Sequence, residues 1–151
     1  MVLDAYASIF VVLRREGGPT AQQQLQVAVQ PLKTASWQVS FDRHADGVLE
    51  VESPALFDWA QSEQEQIRYF SGTATYRTTF RYRGKGERVV LRLGDVRDVA
   101  AVTVNGVACG VAWTAPYEVE ITEALCRGEN RLEIRLSNSW ANAILGMDEL
   151  S

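Results

Sequence analysis

An antiparallel β-sandwich of jelly-roll type is the fold class this sequence predicts, on three observations. Short apolar/polar alternations recur along the chain, turn dipeptides separate them at about ten-residue spacing, and only stubs of helical pattern intervene. The most informative stretch is 93–122, where two apolar runs flank Asn105-Gly106. That dipeptide tolerates the positive φ of a two-residue type I′ turn, so Val99–Val104 and Val107–Ala112 are expected to be antiparallel neighbours. A further strand is expected at 117–121, after the aromatic loop 113–117, whose Pro116 cannot donate to a ladder.

The other elements follow in order. Residues 8–13, Ser-Ile-Phe-Val-Val-Leu, are β-branched and aromatic, as in a buried strand, and 14–23 with Gly17-Gly18-Pro19 form a polar connector. In 24–30, Leu25, Val27 and Val29 alternate with glutamines, the pattern of a half-solvated strand. Residues 37–41 and 48–51 read as a hairpin turned at Asp46-Gly47. Ser53 suits an N-cap and Pro54 the first helical position, so a short helical turn carrying Leu56, Phe57 and Trp59 is expected there. Residues 61–66 read as a polar loop. The clearest strand is 73–83, with Ala74, Tyr76, Phe80 and Tyr82 on one face and threonines and arginines on the other. Val89, Leu91 and Leu93 mark the inward set of the next strand, and Tyr117, Val119 and Ile121 that of another. Thr122 starts one helical turn that Gly128 stops. Glu129-Asn130 turns the chain into a last strand, where Leu132, Ile134 and Leu136 face inward. The tail 138–151 has no strong period.

At 151 residues the chain is one domain's worth, expected as a single sandwich over 1–151, with 1–23 leading and 24–151 forming the main body. Its 46% hydrophobic and 23% charged residues exclude a disordered chain. A net charge of -4 leaves no basic stripe for phosphates, so nucleic acid is excluded as a partner. The apolar opening 2–13 contains Asp4 and is followed by Arg14 and Arg15, the wrong order for a signal peptide. It is also too short to span a bilayer, so no membrane partner is expected. Cys109 and Cys126 provide no disulfide framework or metal spacing and read as two small core side chains, with pairing as the alternative. No cofactor is expected, although scattered Asp and Asn would allow a structural calcium site without EF-hand spacing.

Catalytic chemistry finds little material. His44 lies in a hairpin loop without an assignable nucleophile, and Gly84-Lys85-Gly86 reads as a turn rather than a phosphate loop. Glu118 and Glu120 share the outer face of one strand about 6.6 Å apart, within reach of a glycosidase pair, but nothing suggests the burial that raises an acid's pKa. Asp95 and Asp98 read as turn formers. Binding is better supplied. Sugars present apolar C–H faces and a rim of hydroxyls, which an exposed aromatic and a few amide or carboxylate groups can match. Trp113 and Tyr117 are the candidate platform, with Asn138, Asn142 and Asp148 as polar partners and Trp140 as a further contact. The competing reading makes these aromatics a plug for one end of the sandwich, and exposure of Trp113 separates the two.

The motifs Tyr69-Phe-Ser-Gly-Thr-Ala-Thr-Tyr-Arg-Thr-Thr-Phe80, Leu93-Gly-Asp-Val, Val102-Thr-Val-Asn-Gly106, Trp113-Thr-Ala-Pro-Tyr117, Ile121-Thr and Gly128-Glu-Asn-Arg-Leu132 occur in one order. In this the chain resembles the galactose-binding-like β-sandwich attached to glycoside hydrolases of family 2. The nearest resemblance is to the C-terminal domain of the large α-L-rhamnosidases of family 106, and 8–13 resembles the strand leading into that domain. The resemblance implies a non-catalytic carbohydrate-binding or accessory domain of a larger glycoside hydrolase. Its partners would be carbohydrate and a catalytic domain, in a secreted or periplasmic parent enzyme. Bracing a catalytic barrel without binding sugar is the alternative role, since such sandwiches serve both ends. The tail departs from the family pattern Asn-Arg-Leu-Ile-Gly-Asp: Ala143 stands in the arginine's place and Met147 is inserted.

Overall fold

The computed structural model describes residues 28–149. Two unequal antiparallel sheets carry the fold. The larger has six strands in the order β2-β1-β3-β8-β5-β6, and the smaller pairs β4 with β7. These are β1 (Trp37–Asp42), β2 (Val48–Ser53), β3 (Thr73–Tyr82), β4 (Val90–Arg92), β5 (Val99–Val104), β6 (Val107–Ala112), β7 (Glu118–Glu120) and β8 (Gly128–Ser137). Helices α1 (Glu65–Arg68) and α2 (Ala141–Glu149) complete it. The strand expected at 8–13, the connector and residues 24–27 lie outside the described residues. Residues 28–30 are irregular rather than extended.

Alternation explains the large sheet. Ala74, Tyr76 and Phe80 of β3, Val39 and Phe41 of β1, Val102 and Val104 of β5 and Leu132 of β8 all point inward and are buried. β3 and β8 pair over their full length, from Thr73 opposite Ser137 to Tyr82 opposite Gly128. The β5–β6 hairpin turns where its dipeptide predicts, with φ of 52° at Asn105 and 82° at Gly106. A bulge follows between Val102 and Thr103. There Gly110 lets the small sheet come close, because a Cβ would sit 3.3 Å from Val119 Cγ1. Where the small sheet does not reach, aromatic rings fill the gap. Phe41, Trp59 and Phe70 meet edge to face at 5.0 to 5.5 Å. The Trp59 indole stacks on Tyr76 and donates to its hydroxyl. Burial raises the Tyr76 phenol above its ordinary value, against the lowering effect of that bond.

Several local expectations are corrected. The helical turn expected at Ser53-Pro54 begins later, at Trp59–Gln61, because β2 runs on to Ser53, which pairs with Trp37. Its cap is Asp58, whose carboxylate accepts the Ala60 N–H at 3.0 Å. The polar loop 61–66 ends in α1, held by Ile67, which is only 2% exposed. Cys126 is exposed rather than in the core, Cys109 is partly buried, and both are free. Glu129-Asn130 is not a turn but the start of β8. The patternless tail forms α2, whose docking comes from small residues rather than an apolar stripe. Gly146 abuts Tyr69, and the Ala143 N–H donates to Ser71 Oγ at 3.0 Å.

Asn130 is fully buried and its amide is completely engaged. Oδ1 accepts the Cys126 N–H at 2.7 Å and the Asn105 amide at 2.8 Å, while Nδ2 donates to the carbonyls of Cys126 and Gly128. Removing the side chain strands these groups away from water. Asn130→Ala is therefore expected to cost about 2 kcal/mol or more, read as a lower urea midpoint at unchanged slope. Gly146→Ala tests the docking of α2. Intrinsic propensity favours alanine by up to about 1 kcal/mol. The new Cβ would nevertheless lie 2.7 Å from Tyr69 Cγ, so faster amide exchange along α2 is expected.

Candidate functional site

Register brings several of the singled-out residues to one end of the large sheet. Ala112 pairs with Ala100, which pairs with Leu136, and Val99 pairs with Ser137. Trp113 therefore leaves β6 at the end from which Asn138 leaves β8. Trp113 is 71% exposed and Trp140 77%, whereas Tyr117 is partly buried against the core. The loop between Trp113 and Tyr117 contains a cis Ala115-Pro116 peptide. The Tyr117 carbonyl accepts the Leu93 N–H at 2.9 Å, which ties the loop to the small sheet. The two rings thus face different surroundings: one lies in solvent and the other anchors the loop.

The polar candidates divide in the same way. Asn138 is engaged with the backbone, its Oδ1 accepting from Gly72 N at 2.8 Å and its Nδ2 donating to the Phe70 carbonyl at 2.9 Å. Asn142 stands on α2 and lines a cleft on the inner side of the large sheet, and Asp148 lies further along the same helix. The cleft encloses about 900 Å³. Trp37, Tyr76, Ile134 and Leu136 of the large sheet line it together with Leu91 of the small sheet and Leu93 just beyond it, and Asp95, Arg97 and Asp98 stand among its polar lining. Arg97 holds a left-handed φ of 63°, and its Nε donates to Asp95 Oδ2 at 3.0 Å. Sequence reasoning assigned Asp95 and Asp98 to turns and did not anticipate this cleft. The only linear hint was the charged run Asp95-Val-Arg-Asp98 between two apolar strands.

Glu118 and Glu120 project outward and are ion-paired, with Arg92 at 2.6 Å and Arg88 at 3.0 Å. The Arg88 hydrogen bond, followed by that from Thr122, lowers the Glu120 carboxyl. That is the opposite of what a glycosidase acid requires. His44 is exposed in the β1–β2 loop, where its backbone N–H donates to Asp42 Oδ1 at 3.0 Å. Among the described residues no three His, Cys, Asp or Glu side chains form a metal-binding group, and no helix is long and apolar enough to cross a membrane.

Comparison with known proteins gives the chain its relatives. The family model described as glycosyl hydrolase 2 galactose-binding domain-like matches residues 51–149. A Formosa agariphila protein named as an inferred beta-glucuronidase is 36% identical over 126 residues, 80% of this chain and 11% of that protein. The solved rhamnosidase from Novosphingobium sp. PP1Y superposes with a TM-score of 0.67 at 39% identity, over 84% of this chain and 13% of that one. An uncultured Clostridium sp. beta-glucuronidase shares the fold with a TM-score of 0.54 at 22% identity, over 72% of this chain and 22% of that one. The chain thus spans a small fraction of each protein it matches.

Asp98 offers a test of the cleft rim. Burial raises its carboxyl from the ordinary value, against the lowering effect of the Ser139 N–H it accepts. A folded-state value above the unfolded one makes ionised Asp98 a burden at neutral pH, and the burden disappears once the group is protonated in both states. Asp98→Asn is therefore expected to raise the melting temperature at pH 7 and to converge with the wild type as pH falls through the carboxylate range.

Proposed function

Because this chain belongs to the glycosyl hydrolase 2 galactose-binding domain-like family, a small non-catalytic domain of larger glycoside hydrolases, we propose that it is an accessory domain that holds carbohydrate for a catalytic domain elsewhere in its parent. The observation that carries the reading is the exposed Trp113 ring, on a loop fixed by Pro116 and the half-buried Tyr117. A large indole left in water by a loop anchored at both ends is arranged for a face-on partner, and a pyranose ring has a C–H face of matching size. The parent is an α-L-rhamnosidase of the family 106 type, secreted or periplasmic. Support for it comes from the 39% identity to the Novosphingobium rhamnosidase.

A second reading, bracing of the catalytic barrel, is favoured by a different surface. Trp140, Ile144, Leu145 and Met147 are all exposed on and just before α2. Large apolar side chains gathered on one element suit contact with another domain.

Intrinsic tryptophan fluorescence separates the two. The chain, its Trp113→Ala variant and its Trp140→Ala variant are titrated with L-rhamnose, galactose and short pectin oligosaccharides. A saturable shift is expected that disappears in Trp113→Ala and persists in Trp140→Ala, with circular dichroism unchanged in both. Flat titrations with every sugar at millimolar concentration would remove the carbohydrate reading and leave the bracing one.

A further inference from the structure

Resting on that carbohydrate reading, we infer that the ligand is an acidic saccharide, lying across the outer face of β8, β5 and β6 with Trp113 under one ring and Arg135 on its carboxylate. Alternation and register build this surface. Arg135 of β8 is the partner of Ala101 of β5, which is the partner of Val111 of β6. One step toward the sheet end, Ser137 is the partner of Val99, with Trp113 following Ala112 out of β6. At about 4.8 Å between strands, Arg135 and Val111 are about 10 Å apart, the reach of a disaccharide. Val99, Val111 and Trp113 are exposed, so the β5–β6 side of the face is apolar.

Charge decides the class of ligand. On the same face Arg77 donates to Glu133 at 2.8 Å and to Ser40 Oγ at 3.1 Å, whereas the guanidinium groups of Arg81, Arg131 and Arg135 have no partner among the described residues, and of these three Arg135 stands nearest in register to Trp113. Arg135 is exposed, and its guanidinium makes no hydrogen bond or ion pair with a described residue. The acidic side chains nearest to it in register are engaged elsewhere, Glu133 by Arg77 and Asp98 by the Ser139 N–H. Its cross-strand neighbours are Thr75 and Ala101, and the hydroxyls of Thr73 and Ser137 meet at 2.9 Å in the next row. An unmatched guanidinium beside hydroxyls and an indole platform suits a sugar carboxylate, which its planar fork can hold with two hydrogen bonds. A neutral saccharide would leave that fork unused.

The test compares trigalacturonate with its fully methyl-esterified form, followed by tryptophan fluorescence and calorimetry on the intact chain. The free acid is expected to bind about tenfold more tightly than the ester and to weaken as salt is raised. Arg135→Gln is expected to abolish the difference while keeping ester binding, and Arg81→Gln, at the far end of the same face, to leave both affinities unchanged. Equal affinity for acid and ester in the wild type, both lost in Trp113→Ala, would overturn the acidic class and leave the carbohydrate reading standing. Binding of neither form would overturn both. A preference for the acid that survives Arg135→Gln in a variant of unchanged melting temperature would overturn the assignment to this face.

Discussion

The amide pair of Asn105 and Asn130 is the contact on which the half of the sandwich carrying the exposed tryptophan depends. Asn105 sits in the β5–β6 turn with a left-handed φ, and its side chain bridges three segments. Nδ2 donates to the Ala124 carbonyl and to Asn130 Oδ1, each at 2.8 Å, and Oδ1 accepts the Arg131 N–H at 2.9 Å. Asn130 in turn closes the segment between the 3₁₀ turn Thr122–Ala124 and β8. Each neutral bond of this kind contributes only about 1 kcal/mol net. The arrangement matters because it satisfies a buried crossing point where an apolar pair would leave backbone groups unpaired. It fixes the register of the β5–β6 hairpin against β8, and that register brings Trp113, Ser137 and Arg135 to one surface.

The unequal sheets impose the second constraint. Six strands face two, so strand pairing covers only part of the inner face. The remainder is closed in one region by Phe41, Trp59, Phe70 and Tyr76, and elsewhere it opens into the cleft bounded by 54–60 and the charged loop at Arg97. The two faces of the large sheet therefore have different characters. Inside, rings and a recess lie beneath a partly charged rim. Outside, polar and charged side chains, among them the Arg77–Glu133 ion pair, give way to an apolar corner at β5 and β6. On that outside the loop is tied by the Leu93 N–H, which donates to the Tyr117 carbonyl, while the Trp113 indole stays in water.

Strand alternation was legible because it is local. The period of two in β3, the Asn-Gly turn and the inward parity of Leu91, Val119 and Leu132 are properties of neighbouring residues. The errors have one source. Ser53-Pro54 carries helix-start chemistry, but pairing of Ser53 with Trp37 extended β2 past it. Glu129-Asn130 carries turn chemistry, but four hydrogen bonds made a strand residue of Asn130. Helix α2 has no apolar stripe to read, since it docks through Gly146 against Tyr69 and through a backbone bond to Ser71.

By itself the sequence determined the fold class, the β5–β6 hairpin and the aromatic loop as the place to look. Those follow from side-chain periodicity, backbone tolerance and composition, which need no knowledge of distant contacts. Tertiary structure alone decided that Trp113 stands in solvent while Tyr117 is packed, that Asn138 is occupied by the 70–72 backbone, and that the Arg135 guanidinium has no partner among the described residues on the face beside Val111. Exposure and charge pairing depend on which strands become neighbours, and that order joins residues far apart in the chain through hydrogen bonds no local pattern encodes.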